Sequence, residues 1–384
     1  MNKNSSKNNI FKNLITKKIN IIILILVILL YIYFISGVNS SPVEDVDIPS
    51  GIGVDLTVDD MGNLKYSTPV SLYNYGEEEK ITSFSHTVTG NTLDEAREEY
   101  QLMGNKKIII GLERVVIIGE KLAKYGIRVP IDKLFKASTI NDTALIAVCK
   151  GTSEDVLSFQ VKGFPSAADY IAGLIEHSTE FNFFSNNYKI MDMFVRLDAE
   201  GRSIVLPYIE IKNNKLMITG MALFKKDIMV KKIDIEKARI MNLLREDGVK
   251  GVFTLQENLK EYISYYAKTK KKVSCEKKGD KYTFFIELSL IGDIVDNSLY
   301  HDIDKNKETM KKFQENMSKY VESLCYDFIK EMQNDYKVDC LGLGKYAAAK
   351  YGRKTGTDWD EVVSSSEIKV KVNVKVDKMG RGDF

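Results

Sequence analysis

The chain has 384 residues, a formal net charge of +2, 44% hydrophobic and 28% charged residues. That length leaves room for two or three domains and a sizeable core. The near-neutral balance argues against a nucleic-acid partner, which would call for a strong basic excess.

The first feature in chain order is an apolar run from Ile19 to Ile35, interrupted only by Asn20. Its length suits a helix crossing the hydrocarbon core at about 1.5 Å per residue. Lys3, Lys7, Lys12, Lys17 and Lys18 precede it, while Glu44, Asp45 and Asp47 carry the first charges after it. The positive-inside rule then keeps residues 1–18 in the cytoplasm as a basic tail and exports the body. Tyr31, Tyr33 and Phe34 suit the outer interface. A cleaved signal peptide is the competing reading. Its apolar region would be about 7–15 residues and would end in a small-residue site, so an uncleaved single-pass anchor is expected.

Residues 36–50 read as a linker, and 51–205 as an N-terminal α+β domain. Strands are expected at Gly51–Leu56, Leu64–Val70 and Ile81–Val88, the first two joined by a turn at Asp59–Gly62. A polar turn at Tyr75–Lys80 leads into the third. Thr92 with Glu95 forms a capping-box pattern opening a helix, whose polar face carries Glu98 and Glu99. The apolar runs Ile108–Ile110, Val115–Ile118 and Ala144–Val148 suit buried strands. Glu120–Tyr125 suits a short helix stopped by Gly126, and Gly151–Leu157 a turn into another.

A second α+β domain is expected over 212–380, with a strand at Lys215–Phe224, a helix at Ile235–Leu244 and a strand at Tyr282–Leu290. Met310, Phe313, Met317, Tyr320, Val321, Leu324, Phe328 and Met332 step by three and four, the mark of a long amphipathic helix within about 305–335. Ile368, Val370, Val372, Val374 and Val376 alternate with polar residues, as in an antiparallel or edge strand within 367–377. The expected fold class is therefore multidomain α+β, with mixed or antiparallel sheets covered by helices on one face, behind one transmembrane helix.

The search for chemistry yields no catalytic, cofactor-binding or metal residues. His86, His177 and His301 lie far apart in the chain and in no ligand spacing. Cys149, Cys275, Cys325 and Cys340 lack CxxC spacing and suit buried thiols, although pairing stays open for an exported domain. There is no GxSxG elbow. Gly342 and Gly344 are not a phosphate loop, because Tyr346 stands where Ser or Thr would follow Lys345. Lys268, Lys270, Lys271, Lys272, Lys277 and Lys278 read as a solvated basic loop beside Glu276 and Asp280 rather than a lipid contact. The terminal Arg381-Gly-Asp triplet reads as a chance match.

Several stretches in order resemble one family. They are Gly51-Ile-Gly-Val-Asp-Leu, Gly90–Arg97, Arg114–Ile127, Thr219–Val230, and Asp339-Cys-Leu-Gly-Leu-Gly-Lys-Tyr with Trp359 and the last strand to Gly380. Together they resemble the Ger(x)C family, the C subunit of spore nutrient germinant receptors. The resemblance implies a non-catalytic subunit without cofactors, on the outer face of the spore inner membrane. It also implies integral-membrane A and B subunits as partners, and nutrients that trigger germination with ion release. Family members usually carry a lipidated Cys in a Gly-Cys-Trp. Here Asn39–Asp45 occupies that place and the first cysteine is Cys149, so lipidation at the usual site is impossible. Leu112 stands near the position of a common family His. The alternative is a membrane-anchored solute-binding protein or wall-acting enzyme of the cell envelope.

Overall fold

A computed structural model describes residues 4–36, 42, 45–75, 81–137 and 139–379. Part of the 36–50 linker, most of the Tyr75–Lys80 turn and all of the Arg381 triplet fall outside the described residues.

Helix α1 (Asn4–Ser36) belongs to a unit ending at Val46. Its stretch Lys17–Ile35, of mean hydropathy 2.7, is long and apolar enough to cross a membrane, and none of it is buried.

The unit from Asp47 onward contains two sheets of more than two strands. The larger has eight strands: β1 (Pro49–Val58), β2 (Leu64–Tyr75), β3 (Ile81–Gly90), β4 (Val115–Gly119), β5 (Leu145–Cys149), β6 (Val205–Lys212), β7 (Lys215–Lys225) and β8 (Ile228–Asp234). Their order is β8-β7-β6-β5-β4-β1-β2-β3. The centre, β1-β4-β5-β6, is parallel, and antiparallel hairpins extend it on both sides.

The uninterrupted apolar runs of β4 and β5 explain this placement, because parallel strands are buried on both faces. Val115 and Ile117 enter one core while Val116 and Ile118 enter another. Helices α3 (Glu120–Tyr125), α4 (Arg128–Lys136) and α7 (Ile190–Asp198) contribute to the second core; α5 (Ser153–Leu157), α6 (Ala167–Phe181) and α8 (Ile235–Arg245) contribute to the first. The large sheet is thus covered on both faces at its centre, where one covered face was expected. It also runs past residues 205–212, the expected domain boundary, which form β6 in its interior.

Helix α2 (Leu93–Met103) packs on β3, and its cap differs in detail from the expected box. Thr92 Oγ1 accepts from Glu95 N at 3.1 Å, but the Glu95 carboxylate reaches back to Asn91 N, at 2.8 Å.

The smaller sheet runs β9 (Lys250–Gln256), β10 (Tyr262–Lys278), β11 (Lys281–Asn297) and β12 (Glu367–Met379). The basic run expected as a solvated loop lies inside β10. Ile263, Tyr265, Ala267, Thr269 and Cys275 are buried at every second position, so the lysines at 268, 270 and 272 fall on the wet face. β12 is an edge strand as its alternation suggests, but it pairs with β11 in parallel.

The free edge of β12 is closed by α9 (Lys307–Glu331). Ser318, Glu322 and Tyr326, four residues apart, stand on one face of that helix. Val374 N donates to Ser318 Oγ at 3.2 Å, Val372 N to Glu322 Oε1 at 2.8 Å and Val370 N to Tyr326 Oη at 3.0 Å. Three backbone donors that would otherwise template another strand are thereby satisfied. Replacing the three together by Ala, Ala and Phe is expected to cost about 1–3 kcal/mol in urea unfolding. It should also produce thioflavin-positive aggregates in conditions where the parent chain stays clear.

Candidate functional site

Two of the motif stretches converge on buried polar junctions. In the first, Gly53 and Asp55 lie two residues apart on β1 and so share a face. A side chain at Gly53 would start 2.1 Å from Ser153 Oγ, so glycine is what lets α5 dock here. Asp55, buried, accepts from Ser153 N at 2.8 Å and Ser153 Oγ at 2.7 Å. Burial raises its pKa, and the Ser153 hydrogen bonds offset part of that rise.

The second junction contains Asp339-Cys340-Leu341-Gly342-Leu343-Gly344. Asp339 is 2% exposed and caps α10 (Gly344–Tyr351), accepting from Leu343 N at 2.9 Å and Gly344 N at 2.7 Å. Burial lifts its pKa to about 6, opposed by those two N–H groups. Arg245, at the end of α8, gathers three chain segments. Its Nη1 donates to Ser203 Oγ at 2.9 Å and Cys340 O at 2.6 Å, its Nη2 to Ser203 O at 2.7 Å and its Nε to Glu246 Oε1 at 3.1 Å. Burial pushes Glu246 upward, yet Arg245, Arg196 and Lys271 outweigh it and hold the carboxyl below its usual range. Trp359 stacks edge-on against Tyr282 and donates from Nε1 to Glu200 Oε1 at 3.1 Å.

Lys271 belongs to this junction and not to the wet face of β10. Its Nζ donates to Leu244 O at 3.1 Å and to Arg245 O, satisfying carbonyls at the end of α8. Burial lowers its pKa to about 8, with the Lys345 charge acting in the same direction. A lowered folded-state value means that the unfolded chain binds the proton more tightly between about pH 8 and the ordinary lysine range. The Lys271 contribution to stability therefore rises with pH across that window. Lys271→Met is expected to flatten that part of the stability–pH curve, as read by urea midpoints at pH 7.5, 8.5 and 9.5.

The other residues singled out by sequence are dispersed. His86 sits on β3, edge-on to Phe84 and to Tyr100 of α2. Exposed His177 on α6 faces Glu180 at 3.3 Å, and His301 is also exposed. Among the described residues no three His, Cys, Asp or Glu side chains gather as a metal site would require. All four cysteines are buried and unpaired. Burial raises the pKa of Cys149, Cys325 and Cys340, the state of unreactive core thiols. Glu99 accepts from Thr89 N at 2.7 Å, pinning α2 to β3. Arg245 escaped the sequence reading, and Lys271, read there as part of a solvated loop, instead turns inward to the end of α8. The period-two pattern of β10 carries the signal for Lys271, since it occupies an inward position among Thr269, Val273 and Cys275.

The comparisons with known proteins follow the same order along the chain. The profile described as the spore germination protein N-terminal domain matches residues 39–211, and that of the spore germination B3/GerAC-like C-terminal domain matches 219–380. The chain belongs to the Ger(x)C family of spore germinant receptor C subunits. It is 24% identical over 375 residues to spore germination protein GerQC of Bacillus cereus, covering 93% of this chain and 98% of the relative. It is 22% identical over 301 residues to spore germination protein YndF of Bacillus subtilis (strain 168), covering 76% and 74%. The fold is similar to the crystal structure of the GerBC protein, with a TM-score of 0.56 and 13% identity over 85% of this chain and 97% of that one. Within this Ger(x)C chain, the Gly51–Asp55 and Asp339–Gly344 stretches act as folding junctions.

Proposed function

We propose that this Ger(x)C chain is a membrane-tethered, non-catalytic subunit of a spore nutrient germinant receptor. It works by contact with integral-membrane A and B subunits. Residues Ile19–Ile35 form its anchor in the spore inner membrane, with the N-terminus cytoplasmic and the body on the outer face. The observation that carries the reading is the ordered match of two germination-protein domains over 39–211 and 219–380 behind an apolar helix at Lys17–Ile35. The charges support the orientation, with lysines before the run and carboxylates after it. The uses found for the motif residues support it further: Asp55 accepts from Ser153 N, and Asp339 from Leu343 N and Gly344 N, so both carboxylates are engaged by backbone partners.

Deleting the gene tests the role. Spores should lose the response to one nutrient germinant, and an unaltered response with no second C-type subunit present would sink the reading. The anchor has its own test. The mature protein should retain residues 1–40 and sediment with membranes in a strain unable to lipidate proteins, because a spanning helix holds more permanently than acyl chains. A mature N-terminus near Ser41 by mass spectrometry would remove the anchor.

A further inference from the structure

Between α2, α4 and the strands β1, β2 and β3 lies a cleft of about 130 Å³. Its wall is mostly apolar, with Ile52, Val70, Val88, Leu93, Ala96 and Leu134 among the lining residues. One polar atom within it is conspicuous: Thr68 Oγ1 is buried and has no hydrogen-bond partner among the described residues. A buried hydroxyl left in that state costs free energy unless something completes it. Two cations, Arg97 and Lys133, also line the cleft. Lys133 is paired with Asp94. Exposed Arg97 has no ion pair among the described residues.

We propose that this cleft binds a small molecule with one apolar body and one carboxylate. The apolar wall takes a branched aliphatic chain or a single ring, since a dry cavity of about 150 Å³ lined by such residues takes up benzene. Arg97 meets the carboxylate with a charge-assisted hydrogen bond, and Thr68 offers a hydroxyl to a polar atom reaching inside. The site lies wholly within the N-terminal part of the body and does not depend on the receptor reading.

The test is calorimetric titration of the full chain in nanodiscs with 4-methylpentanoate, referenced to empty nanodiscs. Acetate serves as a carboxylate without the apolar body and 4-methylpentan-1-ol as the body without the carboxylate. The expected result is a Kd of about 1 mM or below for the acid, with both controls at least about tenfold weaker. Arg97→Gln, on an exposed position, should weaken the acid about tenfold and leave the alcohol unchanged. Leu93→Trp should fill the cleft and abolish binding of both while the chain still unfolds cooperatively. The proposal is overturned if the acid gives no heat at 10 mM, if acetate or the alcohol matches the acid, or if Arg97→Gln leaves the acid's affinity intact. A normal germination phenotype on deletion would refute the receptor reading and leave this titration unaffected.

Discussion

Arg245→Met should destabilise the body by about 3–5 kcal/mol, the range for removing one partner from a buried charge network. The side chain is 7% exposed and donates to Ser203 O, Ser203 Oγ, Cys340 O and Glu246 Oε1. Methionine fills comparable space, so the loss is not chiefly one of volume. What remains is two buried carbonyls and a carboxylate without their donor, while Asp339 and Glu246 each lose a neighbouring positive charge. Arg245→Lys keeps the charge but cannot fork to three segments, and should recover less than half of the loss. Urea unfolding followed by far-ultraviolet dichroism measures both. A change under 1 kcal/mol for Arg245→Met would show that the junction does not hold the segments together.

The second large effect is expected at Gly201. Its φ of +69° lies in the left-handed region, and a Cβ there would stand 2.3 Å from the backbone carbonyl carbon of Gly344. The obstacle is main chain at the start of α10, which cannot swing aside as a side-chain tip would. Conformational strain and overpacking add, so Gly201→Ala should cost about 3–4 kcal/mol. Gly163→Ala supplies the control: its φ is +87°, but nothing lies within 4 Å of the new Cβ. That variant carries strain alone and should cost about 1 kcal/mol. Equal losses at the two positions would mean that the contact of Gly201 with Gly344 is looser than described.

If these effects hold, a germination defect in Arg245 or Gly201 variants reports loss of the folded body, whereas a defect in Arg97→Gln at normal stability reports the cleft. The distinction matters because motif residues in a receptor family invite interpretation as contact residues. Gly53, Asp55, Asp339 and Gly344 are instead occupied with internal docking.

What the sequence determined by itself follows from local periodicity. The apolar run at Ile19–Ile35 needs no partner to be recognised, because its length and flanking charges are set along the chain. The three- and four-residue steps of α9 and the alternation of β12 reveal which faces are buried, since each is imposed by the element's own geometry. The stretches that mark the Ger(x)C family are equally local. Tertiary structure decided the rest. The parallel pairing of β12 with β11, and its closure by Ser318, Glu322 and Tyr326, depend on neighbours more than 40 residues away in sequence. The inward turn of Lys271 depends on where α8 ends, and a run of lysines hides it because the residue type alone says solvent. The cleft beside Thr68 exists only once α2 and α4 lie over the sheet, because its wall draws on five elements and no single one carries its pattern. The apolar run was legible because its length and composition are written along the chain, and the junctions were not because each of their groups is defined by a partner brought from another part of the chain.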